Sequence, residues 1–188
     1  MQKIRRTTAL FVLLPIIAFF LAACGGGGGD SAPDLSPAVA TAAATSVTNN
    51  SAVLNAVVNP KGLSTTAFFE YGKDPGLATP TPTTIQLLGS GSADNVITQS
   101  ITGLDQGTTY YFRAKAINSA GTKVGTIVTF NTLPLPAATT IPATSKTTNG
   151  AILHAVVNPN GGATYAWFEY GLTSALGTVI DNQLRGSG

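Results

Sequence analysis

Apolar residues are laid out in two distinct ways along this chain. Near the start they run on without relief: residues 9–23 (ALFVLLPIIAFFLAA) are apolar apart from the break at Pro15. Lys3, Arg5 and Arg6 precede the run and small residues end it. It falls short of the ~20 residues that a membrane-spanning helix needs, so it predicts a cleaved secretory leader over residues 1–23. From residue 37 onward the apolar positions alternate instead. In residues 51–58, Ala52, Leu54, Ala56 and Val58 share one face and Asn55 takes the other. Residues 65–71 place Ala67, Phe69 and Tyr71 opposite Glu70. Residues 109–118 set Tyr110, Phe112, Ala114 and Ala116 against Tyr111, Arg113 and Lys115. Residues 95–101 and 125–132 add two more strands, and Asn59-Pro60-Lys61-Gly62 reads as a turn. Strict period-two patterning between closely spaced turn signals predicts antiparallel β-structure packed as a sandwich, with no helical period in competition.

The pattern occurs twice. At an offset of 99 residues, residues 37–72 and 136–171 share 22 identities in 36 positions, including Ala56-Val57-Val58-Asn59-Pro60 with Ala155-Val156-Val157-Asn158-Pro159 and Phe69-Glu70-Tyr71-Gly72 with Phe168-Glu169-Tyr170-Gly171. Duplicated units of roughly 100 residues follow. The division is residues 37–134 for the first unit and 135–188 for a partial second, joined at Leu133-Pro134-Leu135-Pro136, a short, proline-stiffened link that favours an extended tandem. Gly186-Ser187-Gly188 aligns with Gly89-Ser90-Gly91, so strands equivalent to 95–132 are missing from the second unit. The expectation is a fragment of a longer protein, or a half-sandwich that pairs with another chain.

Composition sharpens this picture. The chain has 188 residues with 44% hydrophobic and only 10% charged, which fits neither an ion-pair-laced helical bundle nor a disordered chain. The formal charge of +2 misleads, because three of the ten Lys and Arg lie in the leader while all eight acidic residues follow Cys24, leaving 7 − 8 = −1. Lys61, Lys73, Arg113, Lys115, Lys123, Lys146 and Arg185 are scattered, so no nucleic-acid partner is expected. One Cys and one His exclude an internal disulfide framework and any site built on two imidazoles. Five consecutive glycines, Gly25 to Gly29, open a tether over residues 24–36 that reaches on the order of 20 Å. No Lys-Ser or Lys-Thr follows them, so they are not a phosphate loop.

Two family resemblances attach to particular residues. Leu21-Ala22-Ala23-Cys24 resembles the lipobox of bacterial lipoproteins. That resemblance implies a diacylglyceryl group on the Cys24 thiol, cleavage before it, and a bilayer as partner through the acylated cysteine. Gly25 stands where an Asp commonly retains such proteins at the inner membrane, which implies the outer membrane of a Gram-negative envelope. Further on, residues 104–118 (LDQGTTYYFRAKAIN) look like the E–F corner and strand F of fibronectin type III domains. Leu104, Thr108, Tyr110, Ala116, Asn118 and Gly121 fall in register with that pattern. The resemblance implies an all-β, immunoglobulin-like sandwich in which Tyr110 is the corner tyrosine. Gln106 replaces the family's usual Pro and residues 51–58 lack its strand B Trp, which makes this a divergent version.

Candidate chemistry is sparse. His154 replaces Asn55 on the outward face of its strand, and no orienting carboxylate or nucleophile lies near it by spacing, so it reads as a solvated strand residue. Glu70 and Glu169 are repeat equivalents about one domain apart. They cannot form the ~5–10 Å carboxylate pair of a glycosidase and read as a recurring solvated position. Phe68 and Trp167, also equivalent, point to the outer sheet surface; either neighbouring strands cover them or they offer a face for a sugar ring or a cell-surface protein. No cofactor, metal site or catalytic set is expected. The expected role is a membrane-anchored lipoprotein whose modules act in spacing, display, adhesion or protein and glycan binding. The alternative is the N-terminal stalk of a larger secreted hydrolase, its catalytic domain lying beyond residue 188.

Overall fold

A computed structural model describes residues 33–184 and residue 186. The leader and Cys24 lie outside the described residues. Among the described residues no helix is long and apolar enough to cross a membrane. The described chain is all-β. Its first unit runs β1 (Ala38–Thr45), β2 (Ser51–Asn59), β3 (Thr65–Gly72), β4 (Thr81–Pro82), β5 (Gln86–Gly89), β6 (Asn95–Thr102), β7 (Thr109–Asn118), β8 (Gly121–Val124) and β9 (Val128–Asn131). Strands β1-β2-β6 form one antiparallel sheet; β4-β3-β7-β8 form the other, with β5 also on β3 and β9 also on β7.

The predicted alternation is the one that packs the two sheets together. Ala52, Leu54, Ala56 and Val58 of β2 and Ile97 and Ile101 of β6 are buried against Ala67 and Phe69 of β3 and Tyr110, Phe112, Ala114 and Ala116 of β7. Burying each larger side chain contributes about 1.5–3 kcal/mol. Strand β2 buries the small Ala52 and Ala56 beside Leu54 and Val58, and aromatics of the opposite sheet pack in the same core. Phe112 sits 6.3 Å from Phe69 and 5.9 Å from Phe130, ring centre to ring centre. Large residues facing small ones let the layers interdigitate.

Two expectations need correction. The strand foreseen over residues 125–132 is confined to β9 (Val128–Asn131), and a separate strand, β8 (Gly121–Val124), precedes it with a break at residues 125–127. The break has a local cause. The Ala114 N–H of β7 donates to Thr41 Oγ1 at 3.1 Å, while Gly125 N–H donates to Ala114 O at 2.9 Å. A Cβ on Gly125 would lie 2.3 Å from Thr41 Oγ1, so only glycine allows this approach. The end of the supposed flexible tether is also held. Ser36 is buried, and Asn118 Nδ2 donates to Leu35 O at 2.9 Å. Ser36 Oγ donates to Ala120 O at 3.3 Å, and Lys61 Nζ donates to Asp34 O at 3.2 Å. Hydrogen bonds from the Ser36 side chain and backbone, then Lys123, lower the Asp34 pKa to about 2.

The second unit repeats the first in register. β10 (Ala137–Thr144) pairs with β11 (Ile152–Asn158), and β12 (Tyr165–Tyr170) pairs with β13 (Thr178–Leu184). Ala137 faces Asn158 as Ala38 faces Asn59, and the bulge between Ile141 and Thr144 repeats the one between Ala42 and Thr45. Left-handed backbone recurs at the same offset, at Ser46 and Ser145, Lys61 and Asn160, and Leu77 and Leu176. Burial does not recur: Leu77 is buried, whereas Leu176 is exposed.

Candidate functional site

Three groups of polar and aromatic side chains stand out, and the strands fix each of them. The first lies on the outer face of β3 and β7. Cross-strand pairing sets Phe68 opposite Lys115 and Glu70 opposite Arg113. Directly opposed residues are close enough to interact. Arg113 Nε and Nη2 each donate to Glu70 Oε2 at 2.8 Å, and Lys115 Nζ donates to Oε1 at 3.1 Å. Lys115 Nζ also lies 5.7 Å from the centre of the Phe68 ring. Glu70 is only 7% exposed, so the expectation of a solvated carboxylate fails here. The outward face was read correctly from alternation, but strand pairing brings two cations over the carboxylate and shuts water out. Burial opposes ionisation of Glu70; the hydrogen bonds and charges of Arg113 and Lys115 outweigh it and hold the pKa below the ordinary carboxylate value.

Tyr110 anchors the second group. Its hydroxyl accepts the Asp105 N–H at 3.0 Å, and its ring stacks on Phe130 at 5.7 Å. Thr132 Oγ1 donates to Asp105 O at 2.6 Å and accepts the Thr108 N–H at 2.9 Å. Lys73 pairs with Asp105 on the outside of this corner. The hydrogen bond and charge of Asp105 raise the Lys73 pKa. A shallow cavity of about 420 Å³ lies beside it, lined in part by Tyr71, Leu77 and Tyr110. These polar groups are spent on backbone and on one another, which makes the corner a brace.

The third group belongs to the second unit. Trp167, at the position of Phe68, is 51% exposed, and its Nε1 donates to Glu169 Oε1 at 2.9 Å. Phe68 is half-buried, so the two candidate aromatics have different surroundings. A cleft of about 740 Å³ opens between β10–β11 and β12, lined by residues that include Thr140, Leu153, Val157, Trp167 and Phe168. His154 is half-buried, and its Nε2 lies 2.7 Å from Thr144 Oγ1 across the β10–β11 bulge. Asn55 does the same work in the first unit, donating from Nδ2 to Thr45 Oγ1 at 3.1 Å. The imidazole therefore ties a bulge together, a role that spacing alone did not reveal. Among the described residues no group of three or more His, Cys, Asp or Glu could hold a metal ion. Cys24 lies outside the described residues.

No protein-family model and no curated protein matches the chain. Solved structures similar in fold include the following two. The sensor domain of the anti-sigma factor RsgI4 of Pseudobacteroides cellulosolvens is 22% identical, covering 53% of this chain and 96% of that one, with a TM-score of 0.44. The fibronectin type III domain of human fibronectin type III domain containing protein 3 is 20% identical, covering 58% of this chain and 94% of that one, with a TM-score of 0.34. Likeness of this size says nothing of ligand or activity.

Proposed function

We propose that the protein is a lipoprotein of the bacterial cell envelope, anchored through acylated Cys24, whose fibronectin type III-like modules serve as non-catalytic spacers or display and binding surfaces. The observation that carries this reading is the fixed lead-in. Asp34 to Ser36 are tied to the first sandwich by Lys61, Asn118, Ala120 and Lys123. The five glycines stand shortly upstream in the sequence, a composition that suits a flexible linker ahead of the held segment. Such a join suits a domain held at a distance from the lipid surface to which Cys24 would bind it. Each buried methylene of an acyl chain contributes about 0.8 kcal/mol, and stable anchoring takes more than one chain. Gly25 in place of Asp favours the outer membrane within this reading. Of Phe68 and Trp167, Trp167 offers the more accessible face for a polysaccharide or a cell-surface protein.

Expression in a Gram-negative host with a radiolabelled fatty acid tests the anchor. The expected result is label on the wild-type protein and its recovery with outer membranes, with both lost in Cys24→Ser. Unlabelled wild-type protein in the soluble fraction overturns the proposal.

A further inference from the structure

The second unit keeps side chains whose partners in the first unit all belong to one strand, β7. The Thr41 hydroxyl accepts the Ala114 N–H of β7, and its equivalent, Thr140, lines the cleft of the second unit. Phe69 packs on Phe112 of β7, and its equivalent, Phe168, lines the same cleft. Glu70 is neutralised by Arg113 and Lys115 of β7, whereas its equivalent, Glu169, is exposed and accepts only the Trp167 indole N–H among the described residues. Phe68 lies beside the Lys115 ammonium; its equivalent is Trp167, the better cation-binding ring. Strand β12 pairs with β13 along one edge, and its other edge is open among the described residues. An open edge offers a row of backbone donors and acceptors to an added strand.

We propose that the cleft between β10–β11 and the open edge of β12 is a strand-acceptor site. Its occupant is an extended polypeptide segment from outside residues 33–184 that carries the alternation of β7. Two large apolar residues and then two small ones point into the cleft, and Lys or Arg stand opposite Trp167 and Glu169. In the first unit β7 runs antiparallel to β3 with Phe69 opposite Ala114 and Glu70 opposite Arg113. The same register on β12 sets a small residue opposite Phe168 and a cation opposite Glu169. One N–H of the added strand then reaches the Thr140 hydroxyl. Among the described residues a second copy has no such strand to lend, because its own β7 is held between β3 and the β8 and β9 strands. The inference concerns β12 and stands apart from lipid attachment.

Trp167 is the chain's one tryptophan, so its emission reports on the site directly. The full chain is titrated with a synthetic peptide of residues 109–118 (TYYFRAKAIN), with excitation selective for tryptophan. The expected result is saturable 1:1 binding with a shift in Trp167 emission and slowed amide exchange along β12. A peptide carrying R113E and K115E is expected to bind about tenfold or more weakly, since like charges would then face Glu169. Thr140→Val in the full chain is expected to weaken binding of the original peptide by a few-fold. Absence of binding, equal binding of the charge-reversed peptide, or a stable dimer of the chain that buries Trp167 without peptide each overturns the proposal.

Discussion

Glu70 shows how a carboxylate on the outer face of a sheet becomes a structural group. Burial alone would favour its protonated form, but Arg113 and Lys115 favour the charged form more strongly, and the folded pKa lies below the ordinary value of 4.5. A depressed carboxylate pKa adds stability that is present above the unfolded-state pKa and is lost as pH falls through the folded-state pKa. The wild-type chain is therefore expected to lose stability on acidification below about pH 4.5. Glu70→Gln is expected to be about 1–3 kcal/mol less stable at neutral pH and to change less between pH 7 and pH 3. Urea unfolding at the two pH values, followed by far-UV circular dichroism, checks both statements. An equal acid response in the two proteins would mean that other carboxylates control it. His154 makes the complementary point, since its position beside Thr144 gives it a mechanical role at a bulge.

At the scale of the elements, the break between β8 and β9 depends on a single interstrand contact. Ala114 N–H turns away from the adjacent ladder to the Thr41 hydroxyl, and Gly125 leaves room for it. Thr41→Val removes the acceptor while keeping the shape, and is expected to cost about 1–3 kcal/mol because a buried N–H loses its partner. Gly125→Ala drives a methyl into Thr41 and is expected to cost about 1–3 kcal/mol. Thermal unfolding of the two variants checks both values, and a wild-type midpoint in either would refute the account. The strands β2 and β7 were legible in the sequence because one face of each is fully buried, and burial writes alternation into residues such as Leu54 and Phe112. The β8–β9 break was not legible, because it depends on Thr41, which lies far away along the chain. The Glu70 pair was hidden for the same reason: its cations come from β7, and the strand register that aligns them is a tertiary fact. Strands β4 and β5 are short and largely exposed, so they leave little periodic signal.

At the scale of the whole molecule, the two units have nearly the same backbone pattern and different degrees of burial. The first encloses Leu54, Val58, Phe69 and Phe112 almost completely, while the second leaves Ile152, Val156 and Tyr170 exposed. Amides open with free energies that follow local packing. Hydrogen exchange is therefore expected to be slow in β2, β3 and β7 and faster by at least about tenfold in β10 to β12. Mass-spectrometric exchange on the full chain reads this directly. Equal protection in the two units would show that the second is covered in solution.

The anchored lead-in also has a mechanical consequence. A pull transmitted through the tether would enter the first sandwich at Asp34, beside Asn118 and Ala120. It would leave at Leu133, whose N–H donates to Thr48 O and whose carbonyl accepts the Gly107 N–H. Between these points β1 runs its full length along β2, and its interstrand bonds lie across the direction of the strands. Tension along β1 thus shears those bonds together instead of peeling them one at a time, so the module would resist stretching far better than its modest aliphatic core suggests.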